Sequence, residues 1–341
     1  MHITAAEQSA MTDAFDLALR GPRGINPQVG AVILSSEGKV LATGWHRGAG
    51  TPHAEIDALS RVAARDARGA TAVVTLEPCS HTGRTAPCAA ALIDAGIARV
   101  VYAQSDPGID SGGGAELLRA AGIDIVRTDS EEGRALISDW LFVQQHGRPR
   151  VTVKWAQSLD ARGAASDGTS QWITGTAARA HVHEQRAQHG AIAVGTGTIV
   201  ADDPLLTARP PGVDIRDGEQ PIPVVFGTRD VPATARVRQH PRELLTFAGP
   251  IAPALQDLAA RGVQRLYVEG GPRLASAFVR QGLADVIHAY IAPTLIGGPF
   301  TSTGDLGVAT IDEQHRLSVD ELTRLGDDIL IIASPTDRKD T

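Results

Sequence analysis

Short apolar runs alternate with helical segments along nearly the whole chain, and this alternation limits the possible folds more than any other feature of the sequence. In the first part, strands are predicted at residues 29–34, 40–44, 72–76 and 100–103, and helices at residues 5–20, 53–67 and 87–95. Strands that alternate with helices form a sheet with helices packed on its faces. We therefore predict an α/β fold for this part of the chain.

The alternation is interrupted once, where FVQQHGRPR at residues 142–150 loses its apolar periodicity. A second α/β pattern follows, with strands predicted at residues 151–155, 191–195, 223–226, 244–247, 266–268, 286–291 and 329–333, and helices at residues 176–188, 253–261 and 272–281. A chain of 341 residues has room for two domains of ordinary size. We predict one domain over residues 1–146, a second over residues 150–336, and a disordered tail at residues 337–341.

Composition and charge exclude several classes of protein. No apolar run approaches the roughly 18 residues that span a bilayer, and the first residues lack the pattern of a signal peptide. We therefore expect a cytoplasmic protein with no membrane partner. The net charge of −7 and the aromatic content of 4% speak against a nucleic-acid partner, which would favour basic surfaces and stacking platforms. A small anionic substrate needs only a few cationic side chains around it, so the acidic net charge does not exclude one.

The chain contains only two cysteines, Cys79 and Cys88. Without an export signal a disulfide is a weak interpretation, and a pair of buried structural cysteines is the simplest alternative. A hydrolytic zinc ion, however, takes three protein ligands and leaves a fourth position for water. His53, at the start of a predicted helix, completes that set with the two thiolates. We expect both cysteines near helix N-termini, where the helix dipole favours the thiolate form.

Glu55 lies two residues beyond His53, near the predicted metal but not forced onto it. That position suits a general acid and base that moves protons between water and a leaving amine. The His-x-Glu and Pro-Cys arrangement is typical of zinc deaminases that act on nucleobases, although eight residues, SHTGRTAP, separate the cysteines here instead of two. The intervening loop carries His81 and Arg84, which could contact a substrate. The alternative is that His81 replaces Cys88 as a ligand.

Several segments resemble the bifunctional deaminase–reductases of riboflavin biosynthesis. They are NPQVG at residues 26–30, HAE at 53–55, TLEPCSHTGRTAPC at 75–88, KWAQSLDAR at 154–162, SQWIT at 170–174, ADDPLLTAR at 201–209 and EGGP at 269–272. The chain departs from the family where Ile25, in place of proline, precedes Asn26. It departs again after Asp106 and Pro107, where Gly108 stands in place of an asparagine and the linker to the Gly-rich turn at residues 112–114 is shorter than in the family.

The resemblance implies a cytidine-deaminase-like α/β/α domain followed by a dihydrofolate-reductase-like α/β domain. It implies one zinc ion that supports hydrolytic deamination of a diamino-ribosylamino-pyrimidinone 5′-phosphate, NADPH that then reduces the ribosyl group to ribityl, and a homodimer or higher homo-oligomer. The substrate-binding positions carried over are Asn26, His81, Arg84, Ser170, Arg186, Leu206, Arg209 and Glu269. The NADPH-binding positions are Ala156, Trp172, Thr198, Asp202, Gly271, Pro272, Arg273 and Leu274, and Lys154 matches a position near the reacting sugar.

Without the resemblance the second half is less informative. No G-x-G-x-x-G follows a strand and opens a helix, which disfavours an ordinary Rossmann site. The turn at residues 269–272 is compatible with a phosphate site at a helix start and equally with a plain tight turn. Asp202 followed by Asp203 and proline forms a turn or helix cap more readily than a metal site.

Three further residue types in this half leave alternatives open. Arg186 and Arg209 suit bidentate pairing with a 5′-phosphate, and they are equally compatible with solvated positions. Trp172 is compatible with the core or with a cofactor wall. Lys154 lies in an otherwise apolar strand, which disfavours a surface position. Because reduction of the sugar needs a proton donor, we hypothesise that Lys154 or Asp202 provides or orients it.

Two other functions fit parts of the sequence. One is a nucleotide or tRNA deaminase with a non-catalytic C-terminal binding module, and the acidic charge speaks against the tRNA form of it. The other is a regulatory homologue that binds the pathway intermediate without converting it. Such a protein would not need Glu55 as a proton carrier beside intact metal ligands. The bifunctional enzyme is therefore the predicted function.

Overall fold

The computed structural model describes residues 2–80, 87–108 and 112–336. The chain divides into two compact units, Met1–Gly147 and Arg148–Thr341. None of the helices in the described ranges combines the length and the apolarity that crossing a bilayer requires. The predicted disordered tail at residues 337–341 lies outside the described residues.

The first unit is a five-stranded sheet with helices on both faces, as expected for a cytidine-deaminase-like domain. Its strands are β1 (Gly30–Leu34), β2 (Val40–Trp45), β3 (Thr71–Leu76), β4 (Arg99–Gln104) and β5 (Asp124–Arg127), and its helices are α1 (Ala5–Ala18), α2 (Ala54–Leu59), α3 (Ala64–Ala67), α4 (Cys88–Asp94), α5 (Gly114–Ala120) and α6 (Glu131–His146). The strand order is β2-β1-β3-β4-β5, with β1 antiparallel to its neighbours and the others parallel. The neighbours Val73 and Val74 of β3 face two separate apolar clusters, because successive side chains of a strand point to opposite faces.

Two glycines let helices approach this sheet closely. An ideal Cβ on Gly30 would lie 2.0 Å from the carbonyl oxygen of Ala14 in α1, and one on Gly44 would lie 2.4 Å from that of Ala54 in α2. A real side chain has no room there, so glycine is required at both positions. The approach at Gly44 seats α2 on β2, and His53 is the residue that begins this helix.

The single helix predicted at residues 53–67 is wrong, because α2 and α3 occupy this stretch separately. The Arg61 guanidinium donates to the carbonyl oxygens of Thr43 and Asp57 at 2.7 and 2.8 Å and to the Asp57 carboxylate at 2.7 Å. It thereby satisfies a carbonyl group at the end of α2, where the helix stops. The elements α5, β5 and α6 had no counterpart among the predicted ones, and α6 continues into the segment 142–150 where the periodicity was lost.

The second unit is built on an eight-stranded sheet. Its strands are β6 (Arg150–Ser158), β7 (Ala191–Gly195), β8 (Ile222–Phe226), β9 (Leu245–Phe247), β10 (Arg265–Val268), β11 (Val286–Ala292), β12 (Leu317–Leu325) and β13 (Asp328–Pro335), and its helices are α7 (Thr176–Gln188), α8 (Thr196–Asp202), α9 (Ile251–Ala260) and α10 (Pro272–Arg280). The strand order is β12-β13-β11-β6-β10-β7-β8-β9. The strands from β11 to β9 are parallel, and β13 and β12 are antiparallel additions at one edge.

Helices cover both faces of the central strands. Val151 and Val153 of β6 pack in one apolar cluster with residues of α9 and α10, while Tyr290 of β11 packs with Ala178 of α7 on the other face. All the strands predicted in this half are present. The edge strand β12 was not predicted, because a register shift between Val319 and Glu321 breaks the alternation of apolar and polar residues.

An ion pair anchors the first residues of the second unit. The Arg148 guanidinium donates to both carboxylate oxygens of Asp285, at 2.6 and 2.8 Å. The Val151 N–H donates to the same carboxylate at 2.8 Å. Asp285 lies just before β11, so this ion pair ties the entrance of β6 to the neighbouring strand of the sheet.

Candidate functional site

Three side chains of the first unit converge on one point. His53 is the N-cap of α2, Cys79 follows β3, and Cys88 is the first residue of α4. The His53 Nδ1 atom lies 3.5 Å from the Cys79 sulfur and 3.3 Å from the Cys88 sulfur. The three potential ligand atoms all lie within 4.8 Å of one another, which is the spacing that a shared metal ion requires.

The electrostatics of this cluster fit a divalent cation. A hydrogen bond from Cys88 lowers the pKa of the Cys79 thiol to about 4 against its burial, and His53 adds to the effect. Cys79 and burial raise the pKa of the Cys88 thiol, since two adjacent buried thiolates repel each other. A cation between the sulfurs would allow both to ionise. One imidazole and two sulfurs form the donor set that zinc prefers, with room for a fourth ligand.

Cys79 does not open a helix, contrary to our expectation. It lies in the loop after β3 and contacts the N-terminus of α4 instead. The N–H of Cys88 donates to the Cys79 sulfur at 3.4 Å, and the N–H of Ala89 donates to the Cys79 carbonyl oxygen at 3.1 Å. Free N–H groups at a helix start favour a thiolate. The helix dipole therefore acts on Cys79 as expected, although Cys79 lies in a loop beside the start of α4 and not in a helix of its own.

The glycines at residues 112–114 support the loop that carries Cys79. An ideal Cβ on Gly114 would lie 1.7 Å from the Pro78 carbonyl oxygen, so any other residue would push this loop away. The N–H of Ala115 donates at 2.9 Å to the buried carboxylate of Glu77. Gly114, in the Gly-rich turn, therefore positions the loop that carries Cys79, a role that sequence reasoning did not find.

Glu55 lies in the first turn of α2 and is 3% exposed. Burial raises the pKa of its carboxyl to about 7. A carboxyl group that titrates near neutrality can both accept and donate a proton, as general acid–base chemistry requires. The structure brings Glu55 and the three potential metal ligands together.

Asn26 lies in the same region, and His46 orients it. The Asn26 amide nitrogen lies 3.0 Å from His46 Nε2, and His46 Nδ1 lies 3.1 Å from the Pro52 carbonyl oxygen. With Nδ1 donating to Pro52, Nε2 accepts from the Asn26 amide, whose oxygen is then free to face a ligand. Sequence reasoning missed His46, because nothing in the sequence connects it to Asn26. His81 and Arg84 lie outside the described residues.

The second unit contains an open cleft of about 1550 Å³. It lies at the carboxyl ends of β6, β10, β7 and β8, where parallel α/β sheets bind their ligands. All the positions named above for this half contribute to its walls: Lys154, Ala156, Ser170, Trp172, Arg186, Thr198, Asp202, Leu206, Arg209, Glu269, Gly271, Pro272, Arg273 and Leu274. Residues predicted separately for substrate and for cofactor therefore share one cleft.

A buried ion pair lies in the wall of this cleft. The Arg186 guanidinium donates to both carboxylate oxygens of Glu269, at 2.5 and 2.7 Å, and to the Thr207 carbonyl oxygen at 2.9 Å. The face of Arg186 that would pair bidentately with a phosphate is thus engaged by Glu269. Lys154 extends from β6 beside this pair, and burial lowers the pKa of its ammonium group.

The loop that carries Arg209 is fixed by side chains from other elements. The N–H of Arg209 donates to Nδ1 of His183 at 3.2 Å. The side chain of Gln220 accepts from the Ala208 N–H at 2.9 Å and donates to the Ala208 carbonyl oxygen at 3.1 Å. Burial lowers the pKa of His183 to about 4, so its imidazole is neutral and able to accept. Sequence reasoning missed both His183 and Gln220.

The fold and these two regions define a class of protein: a zinc-site deaminase domain joined to a reductase domain with a ligand cleft. Comparisons with known proteins agree. A model of the cytidine and deoxycytidylate deaminase zinc-binding region matches residues 4–104, and a model of the RibD C-terminal domain matches residues 149–331.

Full-length relatives identify the family. Riboflavin biosynthesis protein RibD of Mycobacterium tuberculosis is 44% identical over 312 residues, which cover 89% of this chain and 90% of that protein. The Escherichia coli protein of the same name is 36% identical over 358 residues, covering 94% and 97%. The chain belongs to the RibD family of riboflavin biosynthesis proteins.

Solved structures give the same result. Acinetobacter baumannii RibD superposes with a TM-score of 0.83 at 34% identity, covering 97% of this chain and 99% of that one. A Thermotoga maritima structure described as a diaminohydroxyphosphoribosylaminopyrimidine deaminase/5-amino-6-(5-phosphoribosylamino)uracil reductase superposes with a TM-score of 0.80 at 30% identity, with the same coverage. The predicted bifunctional riboflavin-biosynthesis enzyme, with zinc and NADPH as its cofactors, is confirmed.

Proposed function

We propose that this chain first deaminates a diamino-phosphoribosylamino-pyrimidinone to the matching uracil derivative, and then reduces the ribosyl group of that product to ribityl. The observation that carries the proposal is the convergence of His53, Cys79 and Cys88 within 4.8 Å. The description of the Thermotoga maritima relative names this pair of reactions. The cleft of the second unit provides the separate place that the second reaction needs.

In the deaminase reaction, His53, Cys79 and Cys88 would hold the zinc ion, which supplies the Lewis acidity that makes water nucleophilic. Glu55 takes the proton from the attacking water and returns it to the substrate, so that the amine leaves as ammonia. Its buried carboxyl, with a pKa near 7, is suited to both transfers. The Asn26 amide, oriented by His46, binds a polar edge of the pyrimidine. We propose His81 and Arg84 as further substrate contacts.

In the reductase reaction, NADPH supplies the hydride. Its predicted binding positions fit a dinucleotide, because two glycine turns leave backbone exposed in the cleft. An ideal Cβ on Gly271 would lie 3.5 Å from Thr198 Oγ1, and one on Gly195 would lie 3.9 Å from the Leu274 Cβ. Both are ordinary van der Waals distances, so the two turns lie close together, and their glycines leave main-chain N–H groups open to a phosphate. We propose that Ala156, Trp172, Asp202, Pro272 and Arg273 complete the cofactor half.

The substrate half of the cleft contains Ser170, Leu206 and Arg209. The loop geometry fixes the backbone of Arg209, so its guanidinium can receive the 5′-phosphate. Arg186 holds Glu269, which faces the sugar hydroxyls in this arrangement.

We propose Lys154 as the proton donor to the sugar oxygen that is released when the ribose ring opens. Its ammonium group reaches the cleft beside Glu269, and its lowered pKa makes proton release easier than from an exposed lysine. Asp202 lies in the cofactor half of the cleft, so we assign it to orientation instead.

The enzyme also forms a homodimer in this proposal, and it acts in the cytoplasm. Support for the dimer comes from β12, an edge strand whose Val319 and Leu322 side chains are 60% and 66% exposed. Unpaired edges with apolar side chains are typical association surfaces. Sedimentation of a Val319→Lys, Leu322→Lys variant tests this, since a dimer through β12 should become a monomer. Cell fractionation tests the location.

The decisive experiment supplies the diamino-pyrimidinone phosphate with and without NADPH. We expect ammonia release without the cofactor, and loss of nicotinamide absorbance only when the cofactor and the deaminated product are both present. Ammonia release with no NADPH oxidation would contradict the second reaction. Neither signal would contradict the proposed substrate.

A further inference from the structure

The cleft of the second unit has two chemically different ends. Lys154 and Ala156 lie in β6, just beyond the level at which the neighbouring β10 ends, and the sheet continues from β6 through β10 and β7 to β8. Neighbouring strands lie about 4.8 Å apart, so the row spans about 14 Å. In the proposed function the nicotinamide must lie next to Lys154, because the hydride is delivered there. The adenosine of an extended dinucleotide then lies at the β8 end of the cleft.

The β8 end of the cleft carries an exposed arginine. Gly227, Thr228 and Arg229 follow β8 directly and line the cleft. An ideal Cβ on Gly197 would lie 3.4 Å from Nη2 of Arg229, so the guanidinium lies against the first turn of α8, which follows β7 directly. Arg229 is exposed and forms no ion pair with any described residue, so its guanidinium is available to a ligand in the cleft. Asp230, its neighbour in sequence, is also exposed.

We propose that Arg229 binds the 2′-phosphate of the adenosine ribose and thereby selects NADPH over NADH. This proposal rests on the proposed function, which binds NADPH in this cleft and has Lys154 act at the reacting sugar. The 2′-phosphate is the one group that distinguishes the two cofactors. A guanidinium pairs with a phosphate through two parallel hydrogen bonds, and an arginine near the adenosine ribose is how dinucleotide folds accommodate this group.

Other arginines of the cleft are placed less suitably. Arg273 lies in the first turn of α10, which follows β10 in the middle of the strand row, where the pyrophosphate would lie. Arg236 is exposed and lines the cleft, but its segment is tied by its N–H to Asp203 at 2.8 Å, beyond the end of α8. Arg236 therefore serves as the matched comparison: the same residue type in the same cleft, with a different position.

The experiment measures binding to the full-length, zinc-loaded chain by calorimetry, with adenosine 2′,5′-bisphosphate and adenosine 5′-monophosphate as probes. Neither probe can be turned over, so activity does not enter the result. In the wild type the bisphosphate should bind more tightly. Arg229→Gln should weaken bisphosphate binding at least about tenfold and leave monophosphate binding unchanged, as expected for loss of a charged hydrogen-bond pair. Its KM for NADPH should rise while that for NADH stays constant.

Arg261→Gln, at the exposed residue that follows α9 and lies outside the cleft, should leave both affinities unchanged. The assignment would be overturned if Arg229→Gln still bound the bisphosphate more tightly than the monophosphate. It would also be overturned if Arg236→Gln, and not Arg229→Gln, lost this preference. Thermal unfolding and zinc content establish that each variant is folded. Failure of the proposed function gives a different result, because the wild type would then bind neither probe in competition with NADPH.

Discussion

The two reactive regions of this chain are built on opposite plans. In the first unit, three ligand atoms within 4.8 Å and one buried carboxyl concentrate the chemistry at a point. In the second unit, a cleft of about 1550 Å³ is lined by segments that range from Lys154 to Gly304, and the described residues of this unit contain no group of potential metal ligands like that of the first. Metal-assisted hydrolysis needs a few groups at fixed positions, whereas hydride transfer needs two large molecules held in register.

This difference predicts how the two activities respond to substitution. A site whose chemistry depends on one metal ion should lose all activity when one of the metal-binding side chains is removed. A site that depends on distributed positioning should lose activity in smaller steps, since each contact supplies only part of the binding free energy. The following substitutions test that contrast in order of decreasing effect.

Replacing Cys88 by alanine should abolish zinc binding and deamination together, because two protein ligands hold the ion poorly. Zinc content by atomic absorption and ammonia release measure the effect. NADPH oxidation with the deaminated product as substrate should be unchanged. Full zinc occupancy in this variant would instead make His81 the third ligand.

Replacing Glu55 by glutamine should lower the deamination rate roughly 10³-fold while zinc stays bound, because the amide fills the same space but cannot move a proton. Ammonia release and zinc content are measured on the same sample. Glu132→Gln, at an exposed position in the first turn of α6, is the matched control. A variant that kept most of its deaminase activity would remove Glu55 from the mechanism.

Replacing Lys154 by methionine should lower reductase turnover about 10²-fold, since water can replace a lost proton donor only inefficiently. In the wild type the pKa of Lys154 lies below the usual 10.5. The ammonium form is lost as the pH rises through that lowered value, so kcat/KM should fall on the alkaline side with a midpoint below 10.5. The alkaline limb should be absent in the variant and retained in Lys39→Met. An unchanged limb would exclude Lys154.

Replacing Arg209 by alanine should raise the KM for the phosphorylated uracil substrate about tenfold with little change in kcat, because one charged contact to the phosphate is lost. The dephosphorylated substrate should show no such change. Arg216→Ala, at an exposed position outside the cleft, provides the comparison. An equal loss with both substrates would mean that Arg209 supports the loop and not the phosphate.

The same contrast explains what the sequence could predict. His53 and Glu55 are two positions apart and the cysteines nine, so local motifs reveal most of the zinc site without a structure. The alternation of strands and helices was sufficient for the α/β class of both units. Of the hairpin β12–β13 only β13 was predicted, because the register shift in β12 interrupts the alternation of apolar and polar residues in that strand.

The reductase cleft depends on contacts that no local pattern shows. Arg186 and Glu269 are 83 positions apart, and their pairing changes the role expected of Arg186. The contact between His46 and Asn26, and that between Gly114 and Pro78, likewise exist only after folding. Without the family resemblance, the positions that line the cleft, apart from Lys154 in its apolar strand, cannot be told from ordinary turns, core positions and surface residues.

The ion pair between Arg148 and Asp285 has a practical consequence for separating the two activities. Since α6 ends at His146 and Arg148 is already engaged, a reductase produced as a fragment must keep Arg148 as its first essential residue. A fragment that starts at Val151 would leave the Asp285 carboxylate without its guanidinium partner beside a central strand. The cut between the two enzymes is thus confined to a single residue, Gly147.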